Sequence, residues 1–164
     1  MTAKYRWFAI VFLLALAADQ GSKMWARRVL RPIYPQVKTV IAGFFEFRYS
    51  ENPGSAFGLF RGTPGAAYLL LAVGVGALAV VGYYLYKAAP GAWRLGAELG
   101  LLAGGALGNI IDRLTVTRVT DFIVWRIGNH EWPTFNIADA ALVVGVIGLL
   151  FDMKPDESTG KKKA

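Results

Sequence analysis

The sequence predicts a mainly α membrane protein: four transmembrane helices with a small extramembrane β element between the first and second spans. Three observations carry that expectation. Of 164 residues, 55% are hydrophobic and 18% charged, where a soluble domain carries ~25% charged residues. The apolar residues gather into four long runs, and most of the charged residues fall at or beyond the ends of those runs. Glycine is abundant at 19 residues, and membrane-spanning helices carry more glycine than soluble ones.

The first run covers residues 7–18 and is preceded by Lys4 and Arg6. By itself it resembles a secretory signal peptide, with Leu16-Ala17-Ala18 as a cleavage site. Three further apolar stretches favour a span instead, extended through Asp19, Lys23 and Trp25 to about residues 7–25. The second run, 66–86, holds 21 residues without a charge. At 1.5 Å rise per residue such a helix measures ~31 Å, the thickness of the hydrocarbon core. The third, 95–111, contains Glu98 and the small residues Gly100, Ala103, Gly104, Gly105, Ala106 and Gly108. Small residues let helix backbones approach closely, so this helix is expected inside the bundle. The fourth, 135–151, is apolar except for Asn136 and Asp139 near its start.

Between the first two spans, residues 31–61 are not membrane-like. Phe44-Phe45-Glu46-Phe47-Arg48-Tyr49 alternates, which puts Phe45, Phe47 and Tyr49 on one face of a short strand and Glu46 and Arg48 on the other. The aromatic face is expected to meet lipid. Residues 116–132 form a second extramembrane excursion, and 87–94 a short connection. Residues 1–153 therefore read as a single polytopic membrane domain, and 154–164 as a polar, disordered tail ending in Lys161-Lys162-Lys163. Four spans put both termini and the 87–94 loop on one side, together with Lys4, Arg6, Lys87, Arg94 and the terminal lysines. That charge favours cytoplasmic termini, although Arg27, Arg28, Arg31, Lys38 and Arg48 make the other side basic too.

Composition removes several function classes. With no cysteine, disulfides, thiolate catalysis and cysteine-ligated zinc are excluded. The single histidine, His130, cannot build a histidine cluster for a metal, and no cofactor or metal is expected. The net charge of +7 flanks apolar runs and forms no patch interleaved with aromatic residues. Membrane headgroups fit such charge better than nucleic acid does.

Ionisable groups near a membrane span are expensive and default to functional candidates. Asp19, Asp112, Asp121 and Asp139 lie near the ends of apolar segments, and the four-span topology brings all four to one membrane face. Asp19 precedes Lys23 by one helical turn and Asp112 precedes Arg113, so each has a cation with which to form a structural ion pair. Asp121 and Asp139 have no adjacent base. Two unpaired carboxylates at an apolar boundary can share a proton, one acting on a water as base and the other as acid. Plainer roles compete: Asp139 as a helix-cap or dipole partner, Asp121 as a surface residue of a loop strand, or both as a proton relay in a small carrier. On the residues alone these readings stay open.

Four blocks then carry a resemblance, in chain order. They are Asp19-Gln20-Gly21-Ser22-Lys23; Asn52-Pro53-Gly54-Ser55-Ala56-Phe57; Gly104-Gly105-Ala106-Leu107-Gly108-Asn109-Ile110-Ile111-Asp112-Arg113 with Val119-Thr120-Asp121-Phe122; and Phe135-Asn136-Ile137-Ala138-Asp139. In these the chain resembles the lipoprotein signal peptidases, the type II signal peptidases of bacteria. The resemblance implies a four-helix aspartyl endopeptidase of the bacterial inner membrane, multi-pass, with a β cradle and active site toward the periplasm. It implies a diacylglyceryl-modified prolipoprotein as substrate, within membrane lipid, cleaved immediately N-terminal to the lipobox cysteine. Asp121 and Asp139 fall on the catalytic positions. Asp19, Lys23, Asn52, Gly54, Asn109, Asp112, Arg113 and Asn136 fall on positions that line or support the site. Ser55 stands where that family usually has alanine.

Overall fold

The structure, a computed structural model, describes residues 1–33, 35–53 and 65–152. Four helices form the body: α1 (Ala3–Trp25), α2 (Ala66–Lys87), α3 (Trp93–Thr115) and α4 (Ile137–Asp152). The chain after α1 continues into one turn of wider π-helix, Ala26–Leu30. The helix α1 begins earlier than the apolar run because Lys4 is buried. Its Nζ donates to the carbonyl oxygens of Tyr86 at 3.0 Å and Ala88 at 2.6 Å, at the C-terminal end of α2, where a cation also meets the negative end of the helix dipole.

The third helix is the axis of the bundle, touching α1, α2 and α4. Its glycines make this possible. A Cβ at Gly104 would stand 2.7 Å from the Cβ of Ala15 on α1, so the two helices keep this spacing only without a side chain there. The outward faces of α1, α2 and α4 are apolar: Leu14, Val73, Tyr83, Val144 and Leu150 are all more than half exposed. An apolar exterior on this scale marks a surface that does not face water. The stretch Ala3–Leu30 and α2 are each long and apolar enough to cross a membrane. By that measure α3 and α4 do not qualify, because α3 carries Arg94, Glu98, Asp112 and Arg113 and α4 has 16 residues where ~20 span the hydrocarbon core.

An antiparallel sheet in the order β1-β2-β3-β4 caps one end of the bundle, with β1 Val37–Ile41, β2 Phe45–Asn52, β3 Val119–Ile127 and β4 His130–Glu131. Two sequence expectations are corrected here. The β element is not built from the first excursion alone, since β3 and β4 come from residues 116–132. Nor does the aromatic face of β2 meet lipid. Phe45, Phe47 and Tyr49 pack inward on Ala26, Leu30, Phe122 and Ile123, with the Trp25 ring edge-on to Phe47 at 5.0 Å. The reason is β3: its run Phe122-Ile123-Val124 is buried and offers apolar partners that outcompete lipid for the facing rings. Glu46 and Arg48 face the other way, where Arg48 donates to Glu131 at 2.8 Å.

Candidate active site

Asp139 sits in the first turn of α4, and local sequence fixes it there. Asn136 precedes the helix, and its Oδ1 accepts the Asp139 N–H at 3.0 Å while Asp139 Oδ2 accepts the Asn136 N–H at 3.2 Å. This is a reciprocal capping box, which satisfies two of the donors left open at a helix start. The cap reading weighed for Asp139 is therefore correct as far as it goes. It leaves Oδ1 to accept Asn109 Nδ2 at 2.9 Å from α3.

Asp121 comes from β3. The β2–β3 register sets Ser50 opposite Asp121 and Asn52 two positions along, so both share the Asp121 face of the sheet. Asn52 Nδ2 donates to Asp121 Oδ2 at 3.2 Å, and Asn136 Nδ2 donates to Oδ1 at 2.7 Å. Asn136 thus touches both aspartates: its amide nitrogen reaches Asp121 and its backbone N–H reaches Asp139. Asp121 is only 4% exposed, which removes the surface-strand reading. Burial, and next to it the charge of Asp139, push its carboxyl up to about 7 from the ordinary carboxylate range.

Behind this pair lies a buried charged cluster. Lys23 Nζ meets Asp19 Oδ2 at 2.9 Å, Asn109 Oδ1 at 2.9 Å and Asp112 Oδ2 at 3.6 Å. The pairing of Asp19 with Lys23 is the one the i,i+4 spacing predicts. The pairing of Asp112 with Arg113 is not. Neighbours on a helix point about 100° apart, and Asp112 instead pairs with Arg27 and accepts the Thr120 N–H at 2.9 Å. Arg113 turns back to the Asn109 carbonyl at 3.2 Å, and its Nε is buried with no acceptor among the described residues. Asp19 also accepts the Ala138 N–H at 3.0 Å, so it anchors the start of α4. A Cβ at Gly108 would collide with the Asp19 carboxylate, which explains glycine at that position.

Of the sequence-predicted set, Asp19, Lys23, Asn52, Asn109, Asp112, Asn136, Asp121 and Asp139 converge on one end of the bundle, and Arg113 borders them through Asn109. Gly54 and Ser55 lie outside the described residues. Sequence reasoning missed Arg27 and Thr120. Arg27 is four residues past Lys23, so extending the same helix face by one turn would have found it. Among the described residues no three carboxylates or histidines stand close enough to share a metal ion.

Comparison with known proteins agrees over nearly the whole chain. The family model of signal peptidase (SPase) II matches residues 11–154. The lipoprotein signal peptidase of Xanthomonas campestris pv. campestris strain 8004 is 40% identical over 93% of this chain and 95% of its own. That of Xylella fastidiosa strain 9a5c is 37% identical over 92% and 95%. A bacterial membrane enzyme solved by the in meso method at 2.3 Å resolution superposes with a TM-score of 0.81 at 28% identity, covering 96% of this chain and 93% of that one. A second such structure, at 1.9 Å, gives 0.79 at the same identity over 91% and 93%.

Proposed function

The chain belongs to the signal peptidase II family, and we propose that it is the membrane aspartyl endopeptidase that removes signal peptides from prolipoproteins. Cleavage falls immediately N-terminal to the diacylglyceryl-modified cysteine. The spans are about 7–25, 66–86, 95–111 and 135–151, in the bacterial inner membrane, with cytoplasmic termini and the dyad at the outer face. The apolar exterior of α1, α2 and α4 supports four spans. Asn109 and Asp112 of α3 are buried against its neighbours, so the polar end of this helix is sheltered within the bundle.

The observation that supports the chemistry most is Asn136 holding two buried carboxylates in one hydrogen-bonded unit. Asp121, raised to about 7, is the protonated partner. Asp139, at the positive end of α4 and facing the Asn109 amide, carries the charge. Asp139 takes a proton from water, and the hydroxide attacks the scissile carbonyl carbon. The Asp121 proton passes to the leaving amide nitrogen, and the carbon–nitrogen bond breaks. Proton transfer from Asp139 to Asp121 then restores the starting state. Because the amides of Asn109 and Asn136 are already engaged, the Arg113 Nε is the donor best suited to a substrate carbonyl.

The acyl chains position the peptide rather than add bulk affinity, since they already lie in lipid before binding. One precursor, offered with and without its diacylglyceryl group in the same detergent, tests this. The lipidated form is expected to yield the shortened product and the unmodified form to be a very poor substrate. Equal rates would remove lipid from the mechanism, and no product from either would remove the activity.

A further inference from the structure

The dyad uses one face of the sheet; the opposite face forms a second cavity. Alternation along β2 and β3 sends Ser50, Asn52 and Asp121 to one side and Tyr49, Glu51 and Thr120 to the other. There, with the π-helical turn and the connection from α3 to β3, they enclose about 330 Å³ lined by Arg27, Arg31 and Arg118 among others. Arg27 is engaged by Asp112 and by Thr120 Oγ1 at 2.9 Å. Arg31 and Arg118 share the one carboxylate of Glu51, at 3.8 and 3.7 Å, beyond hydrogen-bond length, and both are more than half exposed. Glu51 also accepts the Tyr49 hydroxyl at 2.8 Å. Among the described residues the cleft therefore holds three guanidiniums against two carboxylates, with the Arg31 and Arg118 side chains more than half exposed.

Its position limits what can neutralise that charge. Arg27 and Arg31 follow directly on α1, at the end of the proposed first span, and Arg118 lies in the connection from α3 to β3. Val116 in the lining, and Met24, Val29 and Ile33 on the segment that carries Arg27 and Arg31, are exposed apolar side chains. A cationic cleft with an apolar rim at headgroup depth suits an amphiphile. We propose that this cleft binds the phosphate of an anionic phospholipid, with Arg31 and Arg118 on its oxygens and its acyl chains against the outer end of α1. A free phosphate presents the same oxygens but leaves the apolar rim in water. A zwitterionic lipid brings its own cation to a cleft that already has an excess.

The test is short-chain lipid binding to the full-length protein in a nonionic detergent, read by native mass spectrometry. Phosphatidylglycerol is expected to bind more tightly than phosphatidylcholine by about 25-fold, from roughly fivefold for each of two arginines at an anionic surface. The preference should shrink with added salt. The double variant R31Q/R118Q is expected to lose it while melting at the wild-type temperature without lipid. E51Q, which removes the competing carboxylate, is expected to enlarge it, so the proposal does not rest on a loss alone. Equal binding of the two lipids, an intact preference in R31Q/R118Q, or a weakened one in E51Q would overturn the proposal. Displacement of the lipid by an equal concentration of inorganic phosphate would reassign the cleft to a free anion and overturn it equally.

Discussion

Asp121 and Asp139 carry different burdens although both are aspartates. Asp139 belongs to a helix start that needs its carboxylate for capping, so substitution there must preserve the cap if chemistry alone is to be read. Asparagine does so: its Oδ1 still accepts the Asn136 N–H but cannot take up a proton as general base. Asp121→Asn and Asp139→Asn are each expected to lower the cleavage rate by ~10²–10⁴-fold, the usual worth of a positioned acid or base, with membrane abundance near normal. Substantial turnover in either would misassign the dyad, and Asp112 would be the first replacement to examine. The pH dependence follows from Asp121. Its folded value of about 7 stands above the unfolded ~3.9, so the folded protein holds that proton more tightly. The stability from this site is fully present below the unfolded value and is lost as pH rises through about 7. The rate should fall as pH passes about 7 and the folded-state acid is lost, whereas the loss of stability is complete by that point. Melting temperature and rate measured from pH 5 to 9 check both. A wild-type stability curve that matches Asp121→Asn across that window would contradict the protonation assigned here.

At the scale of elements, α4 is placed by its first turn. Asn136 caps the helix and spans the two aspartates, so stability and rate can be separated there. Asn136→Ala is expected to cost ~1 kcal/mol of stability through the lost cap, together with a large loss of rate. Asn136→Ser keeps a capping oxygen but is too short to reach Asp121. Its stability should recover toward wild type while its rate does not, as seen from melting temperature and single-turnover cleavage. Recovery of both by serine would reduce Asn136 to a cap. Much of α4 was legible in the sequence, because Asn-x-x-Asp before an apolar run is a local signal. The sheet was legible only in half. The period-2 pattern of Phe45, Phe47 and Tyr49 announced a strand correctly, but a pattern gives two faces and does not say what each will meet. That depended on β3, some 70 residues away in the chain.

On the scale of the whole molecule, membrane placement is the next thing to measure. Reporters active only in the cytoplasm are expected to work when fused after residue 164 or within 87–94, and to fail within 31–47. A cytoplasmic signal from the 31–47 loop would invert the topology and put the dyad on the wrong side for exported substrates. Hydropathy finds the first two helices, and it falls short at α3, whose apolar score is lowered by Arg94 and Glu98 at one end and by Asp112 and Arg113 beside the site at the other. The sequence by itself determined the apolar runs, the capping of α4, the small-residue face of α3 and the pairing of Asp19 with Lys23. All are set by residues within about a turn or two of one another, where helix and strand periods dictate geometry. Only the tertiary structure decided that Asp112 pairs with Arg27 rather than its neighbour Arg113, and that the aromatic face of β2 turns inward. It alone decided that Asn52, Asn109 and Asn136 meet at two aspartates. Those choices join residues far apart in the chain, and each is settled by which buried group most needs a partner once the helices have packed.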